Sequence, residues 1–137
     1  MTFEITDELN PKDVSDIRNG LLEYNIPRLE DKEPRELGIY HRVNGKIKAG
    51  LTGETHGNWL EVEYLWVSEE LRGKGIGSSI LKKSEEIARE RGCRYVFLNT
   101  FGFQAPKFYE KYGYKEVFTM QNFPKTGTKH FYMKELT

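Results

Sequence analysis

The stretch Leu65-Trp66-Val67-Ser68-Glu69-Glu70-Leu71-Arg72-Gly73-Lys74-Gly75-Ile76-Gly77-Ser78-Ser79-Ile80-Leu81 decides how the chain is read. An apolar run enters it, glycines at every second position interrupt it, and an amphipathic pattern leaves it, as in a strand, a turn and a helix. Glycine lets the backbone turn tightly and approach a ligand with no Cβ in the way. The first N–H groups of a helix lack partners within it, and no Ser, Thr, Asp or Asn stands at residues 71–77 to cap them. An anion is the natural substitute. Open amides and the positive end of the helix dipole favour negative charge, and Arg72 and Lys74 add two cations. The alternative is a glycine-rich turn that binds nothing.

Spacing sorts the known phosphate loops. A P-loop needs Gly-x-x-x-x-Gly-Lys-Ser/Thr, which the chain lacks, and a dinucleotide fingerprint counted from Gly73 finds Ser78 where its last glycine belongs. Arg72-Gly73-Lys74-Gly75-Ile76-Gly77 fits Arg/Gln-x-x-Gly-x-Gly/Ala and resembles the acetyl-CoA pyrophosphate loop of the GNAT family of N-acetyltransferases. A second segment, Ala105-Pro106-Lys107-Phe108-Tyr109-Glu110-Lys111-Tyr112-Gly113-Tyr114, is similar to that family's Ala-x-x-Phe-Tyr-Glu-Lys-x-Gly-Phe/Tyr, one strand and one loop after the helix. The two motifs together span residues 65–118. The N-terminal half resembles the family only in its order of elements.

Composition bounds the rest. The 137 residues suit one domain, 1–137, with a single core. Twenty-one basic residues balance 21 acidic ones, so no global field attracts nucleic acid or an anionic membrane. The single cysteine, Cys93, excludes an intrachain disulfide and a cysteine-rich zinc site; it reads as a small apolar filler. His41, His56 and His130 show no ligand spacing, so no metal is expected. No apolar run approaches a membrane span and the N-terminus is no signal peptide, which points to a soluble cytoplasmic protein.

In order, residues 2–6 read as a first strand. Residues 10–24 read as a helix with Pro11 in its first turn and one narrow buried stripe, Val14, Ile17, Leu21 and Leu22. A charged loop covers 25–34. Strands 37–43 and 46–53 flank Asn44-Gly45, a strong hairpin signal. Strand 59–67 alternates at first, with Leu60, Val62 and Tyr64 on one face and Glu61, Glu63 and Leu65 on the other. The continuous apolar run Leu65-Trp66-Val67 then implies cover on both sides or a bulge. A helix follows over 74–91, then a strand 95–99 parallel to 59–67, a short helix 104–112, and antiparallel strands 114–121 and 129–136.

The resemblance implies an α/β fold whose central, mostly antiparallel sheet is flanked by helices and splays at the cofactor site. Acetyl-CoA would enter as cosubstrate. Its binding residues would be Leu65, Trp66, Val67, Arg72, Gly73, Lys74, Gly75, Ile76, Gly77 and Ser78, with Asn99 and Lys107 as further contacts. Tyr109 would protonate the departing thiolate, and Glu61 or Glu63 would take the proton of the attacking amine. The alternative roles are an aromatic cluster packing a core and two solvated carboxylates. The implied activity is acetyl transfer to a small amine, with a protein N-terminal or lysine acetyltransferase and a noncatalytic acyl-CoA sensor as alternatives. A homodimer is compatible with the sequence. Glu30, Asp31, Glu33, Glu61 and Glu63 lean toward a polyamine or aminoglycoside over a peptide.

Overall fold

The structure, a computed structural model, describes residues 1–31 and 33–137. In residues 1–31 the one long element is α1, Pro11–Asn25. Asn10 is extended and its side-chain oxygen accepts the Lys12 amide at 2.8 Å, and Pro11 fills the first turn where no N–H is needed. The expected buried stripe is not buried: Ile17 is 76 % and Leu21 58 % exposed. Residues 2–6, expected to be a strand, form none. Ile26–Arg28 makes one 3-10 turn in the segment expected to be loop. Lys32, also in that segment, lies outside the described residues.

Residues 33–137 build a six-stranded sheet from β1 (Arg35–Val43), β2 (Lys46–His56), β3 (Trp59–Val67), β4 (Tyr95–Phe101), β5 (Lys115–Gln121) and β6 (Thr128–Glu135), in the order β1-β2-β3-β4-β6-β5. Only β3 and β4 are parallel, and the crossover between them carries α2, Ile76–Glu90. A short α3, Pro106–Lys111, precedes β5. The apolar stripe of α2 (Ile80, Leu81, Ala88) packs into one core with Leu51, Leu60, Val96 and Leu98, and Tyr109 of α3 extends that core with Tyr114 and Tyr132. Buried Glu85 of α2 accepts the Tyr114 hydroxyl at 2.8 Å and the Lys134 ammonium at 2.8 Å, tying the helix to β6 and to the entrance of β5. Burial, and then the Glu85 charge, push the Tyr114 phenol far above its ordinary pKa. Cys93 is buried, as expected of a filler.

Two bulges set the register. Between His41 and Arg42 of β1 the pairing with β2 slips by one residue, and between Thr52 and Gly53 of β2 the pairing with β3 slips again, leaving Glu63 as the extra residue. The second bulge needs glycine, because a Cβ at Gly53 would lie 2.5 Å from the Glu61 carbonyl oxygen. Downstream of it the inward face of β3 changes from Leu60 and Val62 to Leu65 and Val67. Tyr64, expected beside Val62, is turned outward and is 66 % exposed. Trp66 is exposed too, so the apolar run marks a bulge and not a strand covered on both sides. Among the described residues no helix is long and apolar enough to cross a membrane.

Candidate active site

The parallel pairing of β3 with β4 covers only Trp59 with Tyr95, Leu60 with Val96 and Glu61 with Phe97. Beyond Glu61 the two strands part while β4 stays paired to β6 up to Phe101. The edge of β3 over residues 62–67 is therefore open toward the gap, and every second residue turns its N–H and C=O into it. Leu65 and Val67, which point side chains inward, lie on this open length with exposed Trp66 between them.

The glycine loop starts where that edge ends. The Ser68 amide donates to the Lys48 carbonyl at 2.8 Å and the Lys48 ammonium pairs with Glu70 at 3.2 Å, so β2 holds the loop entrance. Arg72 Nε donates to the Val67 carbonyl at 3.1 Å, which places the guanidinium against the end of the open edge. Gly75 is the N-cap of α2 in the left-handed region at φ +79°, which is why the helix starts at Ile76 and not at Lys74. The first α2 bond runs from the Ser79 amide to the Gly75 carbonyl at 3.1 Å. The amides of Ile76, Gly77 and Ser78 thus have no helical acceptor, and no side chain caps them. The Ser78 hydroxyl donates to the Gly75 carbonyl and leaves those amides open. Gly73 has open space where a Cβ would stand, while a Cβ at Gly77 would touch Val67 at 3.4 Å and Phe108 at 3.7 Å. Three open amides under a helix dipole, with exposed Arg72 and Lys74 beside them, fit a pyrophosphate.

Through Phe108 the loop meets α3. Lys107 is exposed at the start of that helix, and Tyr109, two residues on, is 7 % exposed. The Tyr109 ring meets Phe108 edge-on at 5.2 Å and Tyr114 at 5.8 Å. Among the described residues its hydroxyl has no hydrogen-bond partner, and burial pushes its pKa up, so the phenol stays protonated through neutral pH. The ring packs the core, one of the two sequence readings of this residue, and the hydroxyl is uncommitted.

On the face of the sheet away from α2, a groove of about 630 Å³ brings together Glu61, Glu63 and Asn99 with Tyr64 and Phe97. It also contains Glu36 and Glu54, which the sequence reading missed. Glu54 was within reach of it: the two-residue turn Gly57-Asn58 sets His56 opposite Trp59 and therefore Glu54 opposite Glu61. Glu36 was not, because the slip at His41 and Arg42 moves it onto Glu54.

The parallel pair of β3 and β4 splays, as the resemblance implied. A family model described as the Acetyltransferase (GNAT) family covers residues 3–114. The chain belongs to this family. It is an acetyl-CoA-dependent N-acetyltransferase. It is 35 % identical over 118 residues to the acetyltransferase Atu2258 of Agrobacterium fabrum, covering 85 % of this chain and 86 % of that protein. It is 37 % identical over 109 residues to the blasticidin-S acetyltransferase of Streptomyces morookaense, covering 76 % and 80 %. The crystal structure of an acetyltransferase from Bacillus cereus superposes with a TM-score of 0.85 at 34 % identity, over 97 % of this chain and 98 % of that one.

Proposed function

We propose that this GNAT enzyme, acting as one domain, moves an acetyl group directly onto a primary amine of a small molecule. The carrying observation is the open edge of β3 beyond Glu61, with the glycine loop at its end and the carboxylate groove beside it. The relative named for blasticidin S supports a small acceptor.

Acetyl-CoA, when bound, supplies a thioester whose carbonyl carbon accepts an amine. The amides of Ile76, Gly77 and Ser78 and the side chains of Arg72 and Lys74 hold its pyrophosphate, with Gly73 and Gly75 allowing the backbone to approach. Lys107 adds a cation from α3. The backbone of Leu65, Trp66 and Val67 pairs with the pantetheine amides as an added strand would, and Asn99 contacts the cofactor or a water from the far side of the gap. One N–H of this edge donates to the acyl oxygen as negative charge grows there, a contribution of about 3–4 kcal/mol in comparable sites. Glu61 or Glu63 takes the proton of the ammonium so that neutral nitrogen attacks, worth about 10²–10⁴ in rate. The Tyr109 hydroxyl gives its proton to the departing sulfur.

The test is release of free thiol from acetyl-CoA with a panel of small amines, with product masses recorded. Glu61→Gln and Glu63→Gln, each measured at saturating acetyl-CoA, identify the base by the larger fall in kcat. Acetylation of peptides without turnover of any small amine would overturn the proposed acceptor class.

A further inference from the structure

Glu36 of β1, Glu54 of β2 and Glu61 of β3 are direct cross-strand partners, so three carboxylates stand in one row on one face of the sheet. Neighbouring strands lie about 4.8 Å apart and directly opposed side chains point the same way, so the row spans about 10 Å. Like charges directly opposed on a sheet are destabilising. Among the described residues none of the three forms an ion pair with a Lys, Arg or His. Glu63, the bulged residue, adds a fourth carboxylate to the same groove. A row of opposed like charges trades stability for function, as a surface that binds a cation does.

The form of the row says what kind of cation fits. Among the described residues no three acidic, histidine or cysteine side chains converge closely enough to hold a metal ion. A line of carboxylates stepping across strands matches an extended organic cation instead. Two neighbouring groups point the same way. Tyr64, 66 % exposed, lines the groove, and an aromatic ring attracts a cation to its face. The Thr52 hydroxyl oxygen, in a residue that lines the groove, is sealed from water and has no hydrogen-bond partner among the described residues. The row also has a direction. Its β3 end, Glu61, is the last residue paired to β4 before the gap opens, and its β1 end leads away from that gap.

We propose that the acceptor carries at least two positive charges about 5–10 Å apart, one or two strand spacings. The amine to be acetylated lies at Glu61 beside the gap, and the second cationic group is anchored by Glu54 and Glu36. Those two glutamates are specificity determinants that touch the acceptor away from the reacting atoms. The inference rests on the acetyl-transfer reading of the groove.

Initial rates are measured for butane-1,4-diamine and spermidine against butylamine, at saturating acetyl-CoA and at low and high KCl. The diamine and the triamine should exceed butylamine in kcat/KM by about tenfold or more at low salt, the scale of one added charge-assisted contact, and the margin should shrink as salt rises. Glu54→Gln and Glu36→Gln should each bring the ratio toward one. Glu54→Gln, which removes the middle charge of the row, should also raise the melting temperature of the free protein, whereas loss of a structural contact would lower it. Acetyl-CoA affinity shows that each variant is folded. Equal kcat/KM for diamine and monoamine in the wild type, or a ratio that neither substitution moves, would overturn the two-charge acceptor while leaving acetyl transfer to small amines intact. No turnover of any amine by protein that binds acetyl-CoA would overturn both.

Discussion

Replacing Tyr109 by phenylalanine separates packing from chemistry more cleanly here than at most buried tyrosines. The ring is 7 % exposed and contacts Phe108, Tyr114 and Tyr132, all of which phenylalanine can keep. The hydroxyl has no hydrogen-bond partner among the described residues, so its removal strands no buried donor or acceptor. Removing a bonded hydroxyl costs about 0.5–1.5 kcal/mol, and here that loss does not arise. The melting temperature should therefore hold or rise slightly. Catalysis should respond differently: a lost general acid costs about 10²–10⁴ when the leaving group is poor, and a thiolate is a fair one, so a fall in kcat of about 10- to 100-fold is expected. In free energy that is about 1.4–2.8 kcal/mol of transition-state stabilisation. The assay is steady-state kinetics at saturating acetyl-CoA and amine, with a single-turnover control to show that chemistry limits the rate, beside calorimetric affinity and a thermal melt. Because burial raises the Tyr109 pKa, any alkaline fall in kcat that belongs to it should lie above pH 10 and vanish in Tyr109→Phe. Wild-type kcat with chemistry rate-limiting would remove the phenol from the reaction, and a large fall in melting temperature would refute the claim that its hydroxyl is uncommitted.

Gly75→Asp should abolish acetyl-CoA binding in calorimetry while the chain stays folded: the space beside Gly75 is open apart from Ser78 Oγ at 3.9 Å, the left-handed backbone costs a non-glycine residue about 1–2 kcal/mol, and the new carboxylate repels the pyrophosphate. Unchanged affinity in the folded variant would move the cofactor off this loop. Gly53→Ala should destabilise by about 1–3 kcal/mol in a denaturant melt, because the added Cβ meets the Glu61 carbonyl at 2.5 Å and backbone must shift; a neutral result would mean that the bulge is soft. Tyr114→Phe should cost about 1.5–3 kcal/mol at neutral pH through loss of its bond to Glu85, read from the same melt. The folded pKa of Tyr114 is raised, so above the unfolded value near 10 the native state holds more protons than the unfolded one, and stability falls as pH climbs. That alkaline loss should be smaller in Tyr114→Phe, and equal slopes in the two proteins would count against the assignment.

The sequence by itself determined whatever depends on neighbours in the chain. Asn44-Gly45 placed a hairpin because both positions tolerate positive φ, and they sit at +51° and +81°. The bounds of β3 were read correctly because its alternation and its apolar end are local patterns, and the glycine loop followed from spacing and missing caps. Only the tertiary structure decided register. A bulge moves every later side chain to the other face, and neither the slip at His41 and Arg42 nor the one opposite Glu63 leaves an unambiguous local signal. The row of Glu36, Glu54 and Glu61, the outward turn of Tyr64 and the point at which β3 leaves β4 all depend on which residues face one another across strands. The strand expected over residues 2–6 could be judged only on its own propensity, and strand propensity depends on context more than helix propensity does.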